Sequence, residues 1–506
     1  MNRRAYLAVV AVGLVVGAVE YVLHYRGLAF PDALDYAQMA RETARGRAFH
    51  TLITRPHTVA TSGHNPFVDT SRPPLYPLVL GLWFCVFGAG EFEAASLSAI
   101  IWIAAGSALY AFARRFLDRG PAAVAGILFL LTARLLPYVW SGMSEAPFIL
   151  LILLAFWQLS APPGKTRHAM AGGLLIAAAC LVRTIGILVL PWALFLGWTL
   201  AARTRRARAV MASATVLPLA AWVLIERLVG APTPMSFNLA QLPMFTDTYP
   251  RYSLFRIAAP VDVVAFLRTH PTEITAKFVG GLKVYAVGLL RLLPIPTTLA
   301  WMGGVLIPVH GQRSRCLRRA ALGLIATHLA VLPFYEPTPR FLVPLAGFLV
   351  LLGVTEVCGI ARTRTRTYLL AVWLMLSVAS LRGWARSPAL RPERFAAQEA
   401  AALGSAIDRN AVVITDAPWR TAWELGHESV WIPQDEASLR VVEQKLGNVG
   451  GFILTPALPA MVRAERPVLW MKVWTGAAWP EGYRRAARGL APGIVVGRRI
   501  TREPTR

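Results

Sequence analysis

The chain has 506 residues, of which 56% are hydrophobic and only 16% charged, with a formal net charge of +25 and a mean hydropathy of +0.50. That composition excludes a string of ordinary soluble domains and points to lipid as the solvent. The basic excess is mostly arginine, gathered in short clusters beside apolar stretches, which is the positive-inside pattern of membrane topology and argues against a nucleic-acid-binding face.

Placing each basic cluster in the cytoplasm orders the chain into about eleven transmembrane helices. The apolar run 5–23 follows Arg3 and Arg4 and lacks a small-residue cleavage site, so a retained helix is expected, running outward from a cytoplasmic N-terminus. A polar segment, 24–93, follows outside. Within it, 74–88 is apolar but bounded by prolines and about 15 residues long, which fits a helix lying on the outer surface. Spans are expected at 94–112, 121–139, 146–160, 169–182, 185–201 and 209–228, followed by a second external segment over 229–282. Residues 283–309 fit one tilted helix or a surface helix plus a span, and three further spans end near 335, 358 and 382.

Residues 1–384 therefore read as an all-α polytopic domain and 385–506 as a small extracytoplasmic α/β domain. In the latter, 411–415, 430–433 and 452–455 have strand character and 436–446 helix character. No dinucleotide fingerprint or P-loop is present. Cys85, Cys180, Cys316 and Cys358 are far apart and read as small core residues rather than a disulfide framework or zinc site.

The candidate chemistry lies at the outer ends of the spans. If 31–40 is helical, Asp32, Asp35 and Tyr36 share a face at i, i+3 and i+4, where a carboxylate could take a proton from an acceptor; Asp32 reads equally well as a helix cap. Arg72, stiffened by Pro73 and Pro74 and followed by Tyr76, suits a phosphate or a membrane-interface anchor. His50, His57 and His64 with Asp69 could gather a divalent metal, though no ligand spacing joins them. Glu145 stands at an outer span end, where it is expected to face the cavity or water; Arg183 and Arg340, at other outer span ends, would bind an anionic phosphate or pair with Asp32, Asp35, Glu145 or Glu336. Tyr335 and Glu336 complete the candidate substrate-binding set.

Several motifs, in order and at compatible spacing, resemble landmarks of the GT-C membrane glycosyltransferases. They are Pro31-Asp32-x-x-x-Tyr36-Ala37-x-x-Ala40-Arg41-Glu42, Arg72-Pro73-Pro74-Leu75-Tyr76, Ser144-Glu145, Arg183-Thr184 before Pro191, and Pro339-Arg340-Phe341-Leu342-x-Pro344. The likeness covers roughly residues 1–360 and is nearest in pattern to protein O-mannosyltransferases and the lipid A aminoarabinose transferases. The segment 412–433, with Asp416-Ala417-Pro418-Trp419 and Trp423, resembles the external domain of bacterial members.

The resemblance implies an inverting transfer, at the outer face of a bacterial inner membrane, of a sugar from a polyprenyl-phosphate carrier to a lipid, glycan or protein acceptor. Asp32 matches the catalytic aspartate, Arg72 a basic residue on the lipid phosphate, and Glu145 a second acidic position. Asp35 stands where a basic or neutral residue is common and could share or take the base role. Ser71 stands where the aminoarabinose transferases carry a glutamate implicated in metal binding, which weakens the case for a metal. The rival readings are a flippase for lipid-linked sugars and a non-catalytic envelope scaffold; no nucleic acid is expected in any of them.

Overall fold

The computed structural model describes residues 3–62, 65–69, 71–163, 165–229, 234–306, 312–360, 363–486 and 493–500. Among them six helices are long and apolar enough to cross a membrane: Arg3–His24 (α1), Glu91–Ala113, Arg205–Val229, Gln312–Phe334, Pro339–Gly359 and Arg364–Ala385. A bent pair, Pro271–Leu292 and Ile295–Leu306, meets at 110° and would make a seventh. The break has a local cause. Leu293 is extended because Pro294 follows it, and Pro294 has no N–H to continue the helix. The first arm of the pair starts at Pro271, so the external segment expected over 229–282 gives way to helix earlier than its composition suggests.

Four other expected spans are shorter helices, Arg119–Leu130, Glu145–Leu159, Thr166–Val182 and Gly186–Leu200. The stretch expected to continue to 139 stops at Leu130 and turns into a 3-10 segment, Ala133–Tyr138, that contains Pro137. Small residues let these short helices approach one another. At Gly173 an added Cβ would stand 2.5 Å from the Met211 carbonyl, so Thr166–Val182 packs backbone to backbone against Arg205–Val229. The helix Leu75–Phe87, expected on the outer surface, lies under α2 (Pro31–Ala44), with Gly81 admitting Thr43 and Ala40.

The rest is a six-stranded sheet in the order β1-β3-β2-β4-β6-β5. Its strands are β1 (Ile53–Thr54), β2 (Val412–Thr415), β3 (Ser429–Trp431), β4 (Val449–Leu454), β5 (Tyr483–Arg485) and β6 (Val495–Arg499). Pairing is parallel from β1 to β4 and antiparallel between β4, β6 and β5. The three expected strands and the helix Glu436–Leu446 are present. The sheet also recruits β1 from the segment 24–93 expected to be external, with Ile53 opposite Ser429 and Thr54 opposite Val430. Strands β2 and β4 are apolar on both faces: Val412, Ile414 and Phe452 enter one cluster, Val413 and Ile453 another. This is the pattern of a sheet covered on both sides.

Asp416 follows β2 and accepts hydrogen bonds from the Thr455 amide and hydroxyl, both at 2.8 Å. Burial pushes its carboxyl up to about 6 despite those bonds. A carboxyl raised in the folded state holds its proton longer there than in the unfolded chain, so its stability contribution falls as pH rises from about 4 to 6 and stays low above. Asp416→Asn, which keeps an acceptor for the amide, should raise the melting temperature at pH ~8 and leave it unchanged at pH ~4. The stability difference at pH ~8 should reach up to about 3 kcal/mol. Equal gains at both pH values, read by scanning calorimetry, would refute this.

Candidate active site

Helix α2 starts with Pro31 in its first turn, where the missing N–H costs nothing, and Asp32 beside the positive end of the helix dipole. Its spacing places Asp32, Asp35 and Tyr36 together, as expected. Asp35 is 3% exposed, whereas the Asp32 side chain keeps 22% of its surface. That difference decides which carboxylate a substrate can reach.

Arg72 forks onto both acids. Its Nη2 lies 2.8 Å from Asp32 Oδ1 and 2.9 Å from Asp35 Oδ2, and its Nε donates to Asp35 Oδ2 at 3.0 Å. Arg340, 308 residues from Asp32, donates from Nη2 to Asp32 Oδ2 at 2.7 Å. Its Nε lies 3.5 Å from Glu145 Oε1, which Arg183 Nη1 approaches to 2.7 Å. Three guanidinium groups therefore face three carboxylates. Of the two sequence readings of Arg183 and Arg340, anion ligand or structural partner, the structure shows the partners, Asp32 and Glu145.

Tyr36 and Tyr76 meet edge to face with centroids 5.1 Å apart, and Arg72 lies 5.4 Å over the Tyr36 ring. Tyr76 donates to the Gly142 carbonyl at 2.8 Å. Gly142 has φ +68°, a conformation disfavoured for residues with a Cβ, which turns that carbonyl toward the tyrosine. Arg183 donates to the Ser144 hydroxyl at 3.0 Å, and Ser144 donates to the Tyr36 hydroxyl at 3.2 Å. Glu336 lies beside the cluster, its carbonyl accepting from Tyr285 and its carboxyl bonded to Tyr252. Tyr335 is half-buried and makes no hydrogen bond to these residues among those described.

Burial would raise the Asp32 carboxyl, but the charges of Arg72 and Arg340 outweigh it and hold Asp32 well below the usual carboxylate range. For Asp35 burial wins over Arg72, and the carboxyl is raised. Burial likewise raises Glu336.

The candidate metal ligands do not assemble. His50 faces Glu428 at 3.5 Å, His57 bonds the Ala259 carbonyl at 2.9 Å, and Asp69 accepts from the Ser71 amide at 2.6 Å with Arg55 at 4.0 Å. His64 lies outside the described residues. No group of three His, Cys, Asp or Glu side chains able to hold a metal occurs among the described residues.

A cavity of about 1100 Å³ opens beside Arg340, walled by Phe30, Tyr138, Trp140 and Trp384 and bearing Lys283 and Arg291. Neither basic residue was singled out in the sequence, because both lie within an apolar helix whose period gives no sign of a cavity. Gln38 and Tyr252 also escape sequence reasoning, as ordinary polar residues in unremarkable contexts.

Comparison with known proteins bears on the fold. The sequence model of the family described as dolichyl-phosphate-mannose-protein mannosyltransferase matches residues 71–225, while no curated protein matches the chain. Among solved structures, ArnT from Cupriavidus metallidurans bound to undecaprenyl phosphate is 14% identical with a TM-score of 0.56, over 98% of both chains. The Archaeoglobus fulgidus oligosaccharyltransferase complex with Zn and sulfate is 15% identical with a TM-score of 0.54, over 92% of this chain and 71% of the other. The mycobacterial arabinofuranosyltransferase AftD is 14% identical with a TM-score of 0.52, over 98% of this chain and 42% of the other. The chain is thus a multi-pass membrane protein with the GT-C glycosyltransferase fold.

Proposed function

We propose that the protein transfers a hexosyl or pentosyl group from a polyprenyl-phosphate donor to a lipid, glycan or protein acceptor outside a bacterial inner membrane, with inversion at the sugar. The N-terminus lies in the cytoplasm. Residues 1–384 hold the membrane domain and its catalytic machinery, and 385–506 most of an extracytoplasmic α/β domain. The observation that carries the reading is the joining of Asp32 to both Arg72 and Arg340, the latter lining a cavity of about 1100 Å³. Structures of the same fold bound to undecaprenyl phosphate and to a dolichol-phosphate support it.

The donor phosphate competes with Asp32 for the two arginines. As Arg72 and Arg340 turn to the phosphate, the interactions that depress the Asp32 carboxyl are lost and its affinity for a proton rises, so donor binding switches on the base. Asp32 takes the acceptor proton, the acceptor atom bonds to the anomeric carbon, and the bond from that carbon to the phosphate oxygen breaks. The carrier departs as an ionised phosphate, needing no acid, with the guanidinium groups neutralising the charge that grows on it. We assign the base to Asp32 alone, because both Asp35 oxygens are engaged. Arg183 and Glu145 set the angle of Arg340.

Purified protein in lipid, given radiolabelled polyprenyl-phosphate sugars and an envelope extract, should pass label to the extract from at least one donor. Label retained on every donor would overturn the proposal.

A further inference from the structure

Gln38 lies one turn beyond Asp35 on α2 and is fully buried. Its Oε1 accepts from the Leu52 backbone N–H at 2.8 Å, and because that N–H can only donate, the orientation of the amide is fixed. Its Nε2 then donates to Thr51 Oγ1 at 2.7 Å and to Asp35 Oδ1 at 3.3 Å. Leu52 in turn accepts through its carbonyl from the Ser429 amide at 2.7 Å, at the start of the β1–β3 ladder. An unbroken series of hydrogen bonds therefore runs from the extracytoplasmic sheet through Gln38 to Asp35 and Arg72.

The geometry points to Gln38 as a positioning residue that ties the Asp35–Arg72 pair, and with it the donor-phosphate site, to the α/β sheet. The inference deepens the proposed transferase reading and rests on it. Arg72 must let go of Asp32 to meet a phosphate, yet it must not wander. Asp35 is the anchor that remains, and Gln38 holds the oxygen of Asp35 that Arg72 does not use. The sheet is thereby a determinant of donor recognition although no strand residue needs to touch the donor.

The test uses the full-length protein in lipid. Gln38→Leu removes every bond and should raise the donor KM by about tenfold with a smaller change in kcat. Gln38→Glu guards against a variant that simply misfolds. Its carboxyl, when protonated, can accept from the Leu52 amide and donate one of the two bonds that the Gln38 amide donates; when ionised it adds a negative charge beside Asp35. Arg72, Arg55, Asp69 and Asp32 are the other charged groups acting on Asp35. The activity of Gln38→Glu relative to wild type should therefore be highest at pH ~5 and fall as pH rises to ~8. A ratio constant with pH, or a wild-type donor KM in Gln38→Leu, would overturn the inference. If the wild type transfers sugar from no donor, the functional reading fails separately. The affinity of each protein for polyprenyl phosphate then decides for Gln38, weaker binding by Gln38→Leu supporting its role and equal binding refuting it.

Discussion

Asp32→Asn is expected to abolish sugar transfer, lowering kcat by about 10²–10⁴-fold, while leaving the protein folded. The carboxamide has the shape of the carboxylate and strands no buried charge, since Arg72 keeps Asp35 and Arg340 keeps Glu145. The variant should also bind polyprenyl phosphate at least as tightly as wild type, because the arginines no longer have to leave an anion to receive one. Transfer assays paired with lipid-phosphate titration read both effects. Wild-type turnover in the variant would remove Asp32 from the chemistry; lost turnover with much weaker phosphate binding would assign it to donor binding instead.

Arg72→Ala should have the second large effect, on donor use and on stability together. The donor KM rises because one of two phosphate ligands is gone. Stability falls by about 3–5 kcal/mol because Asp35, 3% exposed, is left buried without its close counter-charge. The sign of the pH dependence follows from burial, which already raises the Asp35 carboxyl. Without Arg72 that rise grows, the folded state holds the proton more strongly than the unfolded chain does, and the variant gains stability on acidification. Arg72→Ala with Asp35→Asn should recover the melting temperature at neutral pH but not the donor KM. Recovery of both, or of neither, would show that the two residues do not divide the work in this way.

What was legible in the sequence follows from the range of the signal. Helix α2, its Asp32–Asp35–Tyr36 face and the apolar strands β2 to β4 are local patterns, with periods of 3.6 or runs of β-branched residues, and they were found near their observed bounds. The series of ion pairs Arg72–Asp32–Arg340–Glu145–Arg183 joins five distant parts of the chain. Its members were picked out as charges at outer span ends, but nothing local says which acid meets which arginine. Strand β1 was invisible because a two-residue strand has no period, and its partner lies far away in sequence. The break at Leu293 is written in Pro294, whereas apolar length over 283–309 left one tilted helix and a surface helix plus a span both open.

Strand β1 also imposes an order on the making of the protein. Ile53 pairs with Ser429, and at about 5–20 residues per second a ribosome takes roughly 20–75 s to supply that partner. Throughout that interval α2 lacks both the ladder behind Gln38 and the backbone carbonyls of Ala422 and Trp423 that receive Arg41 at 2.8 and 3.0 Å. The corner proposed to bind the donor phosphate therefore gains its support from the sheet only after residue 429 has been made.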